Sequence, residues 1–227
     1  MTRTTPLVIV GAGGFGREVA WLVEDLNAEA RRFELLGFVD DTTTSTPEEY
    51  PVLGTVSDWL ERRPRDAQVV CALGDSATRA QVVRRLADAG CRFATLIHPT
   101  VKRSRWVEIG PGSMVCADNI LTTNIRVGAH SLINLDCTIG HDTVLGDFTG
   151  MMPGVHLSGD VTCETGVYFG TGAVVINGVR IGAWTVVGAG AVVSGDLPAG
   201  MIAVGVPARP IKPNPRVPQE AGNLVHA

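Results

Sequence analysis

Fifteen positions spaced six apart are apolar without exception: Ile109, Val115, Leu121, Val127, Ile133, Ile139, Leu145, Met151, Leu157, Cys163, Phe169, Val175, Ile181, Val187 and Val193. A helix repeats every 3.6 residues and a strand every 2, so a period of six is neither. At 45% apolar composition, such a run in a chosen register arises by chance about once in 10⁵. Glycine follows the apolar residue at 110, 128, 140, 146, 170, 182 and 188. The residue two places before it is mostly small or β-branched, as at Ser113, Thr143, Val155 and Ala173. A sandwich of short strands would need a period of two and a hairpin every 8–12 residues. A hexapeptide repeat is instead the signature of a parallel β-helix. Each hexad forms one side of a triangular coil, and three hexads complete a turn. The fifteen hexads predict five coils, with the apolar residue inward and small residues at the corners.

Residues 1–96 have a different texture. LVIV (7–10) reads as a strand, and after GAGGFG a helical pattern runs through REVAWLVEDLNAEA. ELLGFVD (34–40), VVCAL (69–73) and FATLI (93–97) read as further strands, with a helix at SATRAQVVRRLADAG. Strands alternating with helices predict βαβ units on a parallel sheet. TTTSTPEEYP (42–51) is a polar surface loop. Three regions follow: an α/β domain over 1–96, a β-helix over 97–212, and a Pro-rich tail over 213–227 with little packed structure expected.

The register stacks residues 18 apart, one strand spacing of about 4.8 Å. His141, in the stretch INLDCTIGHDTVLGDF, lies two places after the inward Ile139, at a corner. Its column runs from Thr123 below to Gly159 and Asn177 above, and its side chain points out of the prism. His98, before Pro99 at the domain junction, reads as structural or substrate-lining, with structural favoured, and His130 and His156 as surface residues. GAGGFG places glycines at 11, 13 and 16 after a strand and at the start of a helix, which fits GxGxxG. With Asp40 some 24 residues on, that motif alone would suggest NAD, yet only half of a dinucleotide domain is present.

Taken together, GAGGFG, FVDD, ALGDSATR, IHPT, the hexad repeat with N-x6-HD, VVGAGAVV and GVPAR resemble the bacterial nucleotide-sugar acetyltransferases, from about residue 7 to residue 212. That family includes N-acetyltransferases of UDP-4-amino sugars and GDP-perosamine, and the related sialic acid O-acetyltransferases. The resemblance implies a left-handed parallel β-helix behind a small Rossmann-like α/β domain. It implies His141 as general base and Asp142 as the carboxylate that fixes its tautomer and raises its basicity. Thr171 and Ala189 carry over as contacts to acetyl-CoA; they are 18 apart, so a pantetheine arm can run along their column. Gly159 leaves room beside the base, and Arg209 in GVPAR lies near the CoA phosphates. Gly13, Gly14 and Phe15 approach the sugar nucleotide, Asp40 and Asp41 its base or ribose, and Gly74 lines the same cleft. Many members have a second His, touching acetyl-CoA, nine residues after the base; here that position is Gly150. The resemblance also implies a homotrimer with active sites between subunits.

Composition narrows the classes. The net charge of −4, without a basic run, gives no reason to expect nucleic acid or an anionic membrane surface. Five scattered cysteines form neither a disulfide framework nor a zinc site, so no metal and a reducing cytoplasm are expected. No stretch approaches the roughly 20 apolar residues of a membrane helix, and the N-terminal apolar run of four is too short for a signal peptide. Four activities stay open: N-acetylation of a nucleotide-linked amino sugar, O-acetylation of a sugar hydroxyl, a non-catalytic nucleotide-binding scaffold, and an NAD-binding regulator.

Overall fold

The computed structural model describes residues 4–47 and 49–218. The N-terminal unit runs β1 (Thr5–Val10), α1 (Gly14–Glu29), β2 (Phe33–Val39), α2 (Val56–Arg62), β3 (Gln68–Cys71), α3 (Ser76–Asp88) and β4 (Arg92–Phe93). Its four parallel strands are ordered β2-β1-β3-β4. Leu7, Ile9 and Val70 face α1, while Val8, Val10 and Val69 face the side of α2 and α3. That alternation explains why these strands read as continuous apolar runs: both faces are covered. Helix α2 was not anticipated. It starts at a capping box in which the Thr55 hydroxyl accepts from Asp58 N–H and the Asp58 carboxylate accepts from Thr55 N–H.

The expected fourth strand at 93–97 divides in two. Arg92–Phe93 closes the N-terminal sheet, and Leu96–Ile97 opens the β-helix. Sheet I of the prism starts there and also holds the strands at Met114, Leu132, Gly150, Tyr168, Val186 and Met201. Sheets II and III start at Lys102–Arg103 and Val107–Ile109. The 18-residue register holds throughout the body, as in Leu132↔Gly150, Thr138↔His156 and Val144↔Thr162. The prism has about six turns rather than five. Stepping back from Ile109 meets the exposed Arg103 before Ile97, so the first coil escapes an apolar count.

Fourteen of the counted positions are buried, and Ile109, near the first coil, is partly so. The residues two places earlier also point inward. Where they are polar, the corner backbone satisfies them: Ser113 Oγ donates to Gly128 O at 2.9 Å and Thr149 Oγ1 to Gly146 O at 2.7 Å. A further period appears in the backbone. Every sixth residue from Gly112 to Gly190 has a left-handed φ, and these corners are Gly, Asp, Asn, His, Phe or Trp. Gly, Asn and Asp adopt this conformation at low cost; Phe148 and Trp184 do not and need surrounding support.

The N-terminal unit docks on sheet I. Leu96, Met114 and Leu132, which point outward from that sheet, are fully buried in one cluster with Val19, Leu22 and Leu26 of α1. Arg79 of α3 completes the joint. Its guanidinium donates to the carbonyls of His130, Leu73, Gly74, Phe148 and Thr149 and to Ser76 Oγ. His130 and Phe148 are one coil apart, so a single side chain clasps two turns of the prism. Burial among uncharged oxygens pushes its pKa down to about 10, which leaves it cationic at neutral pH. His130 is not a surface residue: its ring lies between Phe93 and Phe148, at centroid distances of 4.6 and 5.4 Å. Burial lowers its pKa. The tail is also more ordered than expected up to residue 218. Asn214 Nδ2 donates to Trp184 O at 2.8 Å, and Arg216 pairs with Asp75 at 2.9 Å. Residues 219–227 lie outside the described residues.

Candidate active site

In the order β2-β1-β3-β4, the chain leaves β1 toward one side and later places β3 on the other. The reversal leaves a crevice at the carboxyl ends of β1 and β3, where open α/β sheets take ligands. Gly13, Gly14 and Phe15 follow β1, and Gly74 follows β3, so these four predicted residues flank the crevice. Their glycines differ in kind from those beside them. A Cβ on Gly16 would lie 1.9 Å from Gly11 O, and Gly11 itself has a φ of +107°, so this pair makes the turn. Gly13 and Gly74 have nothing within 4 Å of an added Cβ, and Gly14 only an Arg17 nitrogen at 3.8 Å. No internal packing demands glycine at these three positions.

Asp40 and Asp41 close the third side, at the end of β2. Asp40 Oδ2 accepts from Ala12 N–H and Oδ1 from Thr42 and Thr43 N–H, each at 2.8 Å. Partial burial raises its pKa, and these hydrogen bonds outweigh that, leaving it below the usual range. Asp40 therefore ties the glycine loop to the β2 loop. Asp41 Oδ1 accepts from Val56 N–H at 2.8 Å, and Arg85 lies 3.7 Å from Oδ2.

His141, Asp142 and Gly159 come together at a corner between sheets II and III. Asp142 N–H donates to Thr123 O, and Asp160 N–H to His141 O, which confirms the stacking. His141 Nδ1 lies 2.8 Å from Asp142 Oδ2, and both side chains are more than half exposed. A carboxylate only accepts, so Nδ1 carries the proton and the Nε2 lone pair is free. The hydrogen bond from His141, then that from Asn124, hold the Asp142 pKa down. A Cβ on Gly159 would sit 2.5 Å from His141 Cε1 and Nε2, so glycine is what lets the ring lie there. Asn124 was missed from sequence, although it lies 18 residues before Asp142 and the same column rule identifies it.

Thr171 and Ala189 lie on another corner, between sheets I and II. Both are exposed and stacked, with Gly190 N–H donating to Thr171 O at 2.9 Å. Glycines flank each of them, at 170, 172, 188 and 190. A ridge with only small side chains and reachable backbone amides fits an extended pantetheine arm. Gly150 is on neither corner. It is buried in sheet I, where an added Cβ would lie 3.0 Å from the Tyr168 ring and 3.1 Å from Ser76 Oγ. An imidazole there would have to displace Tyr168. Above it, a cavity of about 490 Å³ is bounded by Gly74, Tyr168, Trp184, Ile202 and the Asp75–Arg216 pair. Arg209 lies exposed on the last strand of sheet I. Among the described residues, no cluster of His, Cys, Asp or Glu could hold a metal ion.

His98 is structural by its contacts. Its Nδ1 accepts from Thr100 N–H at 3.1 Å, so Nε2 carries the proton toward Asp25 Oδ2, 3.0 Å away on α1. His156 is exposed, with Nδ1 2.9 Å from Thr138 Oγ1.

Residues 6–86 match the family model described as the PglD N-terminal domain. The chain is 30% identical over 214 residues to the GDP-perosamine N-acetyltransferase of Escherichia coli O157:H7, covering 91% of this chain and 96% of that protein. The chain belongs to the nucleotide-sugar acetyltransferases of the hexapeptide-repeat superfamily. Solved relatives of this acetyltransferase share both units. The acetyltransferase domain of PglB from Neisseria gonorrhoeae, solved also with acetyl coenzyme A, superposes with a TM-score of 0.85 at 32% identity. It covers 92% of this chain and 100% of that one. A His-to-Asn variant of perosamine N-acetyltransferase from Caulobacter crescentus, with CoA and GDP-perosamine bound, has a TM-score of 0.83 at 32% identity. The match covers 91% of this chain and 96% of that one.

Proposed function

We propose that this acetyltransferase moves an acetyl group from acetyl-CoA to the amine of a nucleotide-linked amino sugar, with His141 as general base. The observation that carries the reading is the His141–Asp142 pair, exposed at a corner with Nε2 free and Gly159 clearing its space. The amine nitrogen attacks the thioester carbonyl carbon; a C–N bond forms and the C–S bond breaks. The nitrogen loses a proton to His141 Nε2, and the same proton leaves with the coenzyme as its thiol. Asp142 holds the imidazole in the accepting tautomer and stabilises the imidazolium. Thr171 and Ala189 would hold the coenzyme arm through their backbone, with Arg209 toward its phosphates. Gly13, Gly14, Phe15 and Gly74 would line the nucleotide-sugar cleft, with Asp40 and Asp41 shaping it.

A homotrimer belongs to this reading. The II/III corner is the vertex opposite sheet I, and the N-terminal cleft lies on the sheet I side. A single chain therefore holds its base and its nucleotide cleft on opposite sides of the prism. Beyond Lys102 on its first strand, the outward row of sheet II from Ile120 through Thr138, His156 and Val174 to Val192 carries no Asp, Glu, Lys or Arg, as suits a face that meets another copy. Light scattering of an active preparation should give a trimer mass. No helix among the described residues is long and apolar enough to cross a membrane, and a cytoplasmic enzyme acting on a soluble sugar nucleotide is the setting we infer.

Thiol release from acetyl-CoA with a panel of UDP-, GDP- and dTDP-linked amino sugars tests the reading. Turnover with an amino sugar supports it. Turnover confined to hydroxyl acceptors, or tight nucleotide or NADH binding without turnover, would replace it.

A further inference from the structure

We propose that Asn124 is a positioning residue for the catalytic pair, a third member that aims Asp142 at His141. Its Nδ2 donates to Asp142 Oδ1 at 3.1 Å, while Asp142 Oδ2 faces His141 Nδ1 at 2.8 Å. The carboxylate is thus gripped at both oxygens, by a donor from the coil below and by the imidazole it orients. This inference rests on His141 being the base.

The bland account is that Asn124 merely serves a left-handed turn, with a φ of +53°. The other corners argue against it. Of fourteen corner residues, Asp118, Asp136, Asp142 and Asp160 are aspartate, six are glycine, and Asn124 alone is asparagine. Asp118 stacks directly under Asp136, so the turn accepts carboxylate above carboxylate. The asparagine stands under the one corner aspartate that pairs with a histidine. Asp160 occupies the corner above Asp142, so the pair lies between a neutral donor below and an anion above. Thr123 and Gly159, in the column of His141, carry no charge.

With two anions already stacked, a neutral donor is the group that can fix Asp142 without competing for the imidazole proton. A carboxylate at 124 would repel Asp142 and add to the field that stabilises imidazolium. A glycine would leave Asp142 free to turn away.

Two substitutions test this, both to residues that the corners of this prism already use. Asn124→Gly keeps the turn and removes the donor; Asn124→Asp keeps the turn and the size and replaces the donor with a charge. Two readouts are needed. Nitrogen-15 histidine spectra of the full trimer report the His141 tautomer without any turnover. Steady-state kinetics report kcat and KM across pH. We expect the Nδ1–H tautomer of His141 to lose population in Asn124→Gly. We expect kcat to fall on the order of tenfold in both variants, by analogy with the loss of a partner that orients a metal-binding histidine, with both KM values within about twofold. In Asn124→Asp the acid limb of kcat/KM should move to higher pH by up to about one unit. Unchanged tautomer and unchanged kcat in both variants would reduce Asn124 to a turn residue. If His141→Asn itself kept full turnover, the base reading would fail, and the tautomer spectra would still decide whether Asn124 positions the pair.

Discussion

His141 and Asp142 are neighbours in the chain and partners in space, with Nδ1 2.8 Å from Oδ2 and Asp142 in left-handed backbone at φ +59°. Replacing His141 by Asn keeps a polar side chain and removes the proton acceptor. Because the position faces outward, stability should change by less than about 1 kcal/mol. Binding of acetyl-CoA and the sugar nucleotide, measured by calorimetry, should survive. Turnover should fall by roughly 10²–10⁴. Asp142→Asn should cost less, since the imidazole remains.

Gly159→Ala should damage the same function by steric means. The new methyl would meet His141 Cε1 and Nε2 at 2.5 Å, and the exposed ring must swing aside. A displacement of that size should lower kcat up to about 100-fold, with the melting temperature little changed. In a His141→Asn background the same change should have no further effect, which kinetics of the double variant will show.

Arg79→Leu should weaken the joint between the two units. It strands buried carbonyls on two coils and at the start of α3. A loss of about 2–4 kcal/mol is expected, read as a shift of the denaturation midpoint. Arg79 touches no proposed reacting group, so kcat measured well below the transition should change less than stability does.

The tail should loosen in acid. Partial burial raises the Asp75 pKa, but hydrogen bonds from Thr78 and Arg216 outweigh it and leave the pKa below the ordinary 3.8. A depressed carboxylate contributes its stability in full above the ordinary value and loses it as pH falls through the folded one. Hydrogen exchange over residues 214–218, corrected for intrinsic rates, should therefore lose protection below pH 3.8 and not above it. Asp75→Asn at neutral pH should reproduce the loosening, because Asn caps α3 as well as Asp does but cannot pair with Arg216.

The prism was legible because its period is enforced residue by residue: each inward position from Ile109 to Val193 must be apolar, and any slip exposes it. The same arithmetic placed Gly159 over His141 and Ala189 over Thr171. It failed at Arg103, where the first coil needs no inward apolar residue, and so one turn was lost. Contacts between units left no period to read. Nothing in SATRA distinguishes Arg79 from a surface arginine of a helix, and nothing local to His130 shows that Phe93 and Phe148 enclose it. The tail illustrates the same limit: Pro-rich composition predicts little order, but Asp75 and Trp184, far away in sequence, supply its anchors. Asn124 was within reach of the column rule, one place along from Thr123.

On the proposed trimer, one chain would supply the base and a neighbouring chain the nucleotide cleft. Mixing two inactive variants tests this. His141→Asn removes the base. Gly14→Trp fills the cleft, at a position where the fold leaves room for a side chain. The two should be co-expressed in equal amount and assayed by thiol release with an amino-sugar nucleotide that the unmodified enzyme accepts. In randomly assembled trimers, about one interface in four pairs an intact His141 with an intact cleft, so activity should return to roughly a quarter of normal. Activity no higher than that of the two separate variants would contradict the shared site and place the base and the cleft within a single chain.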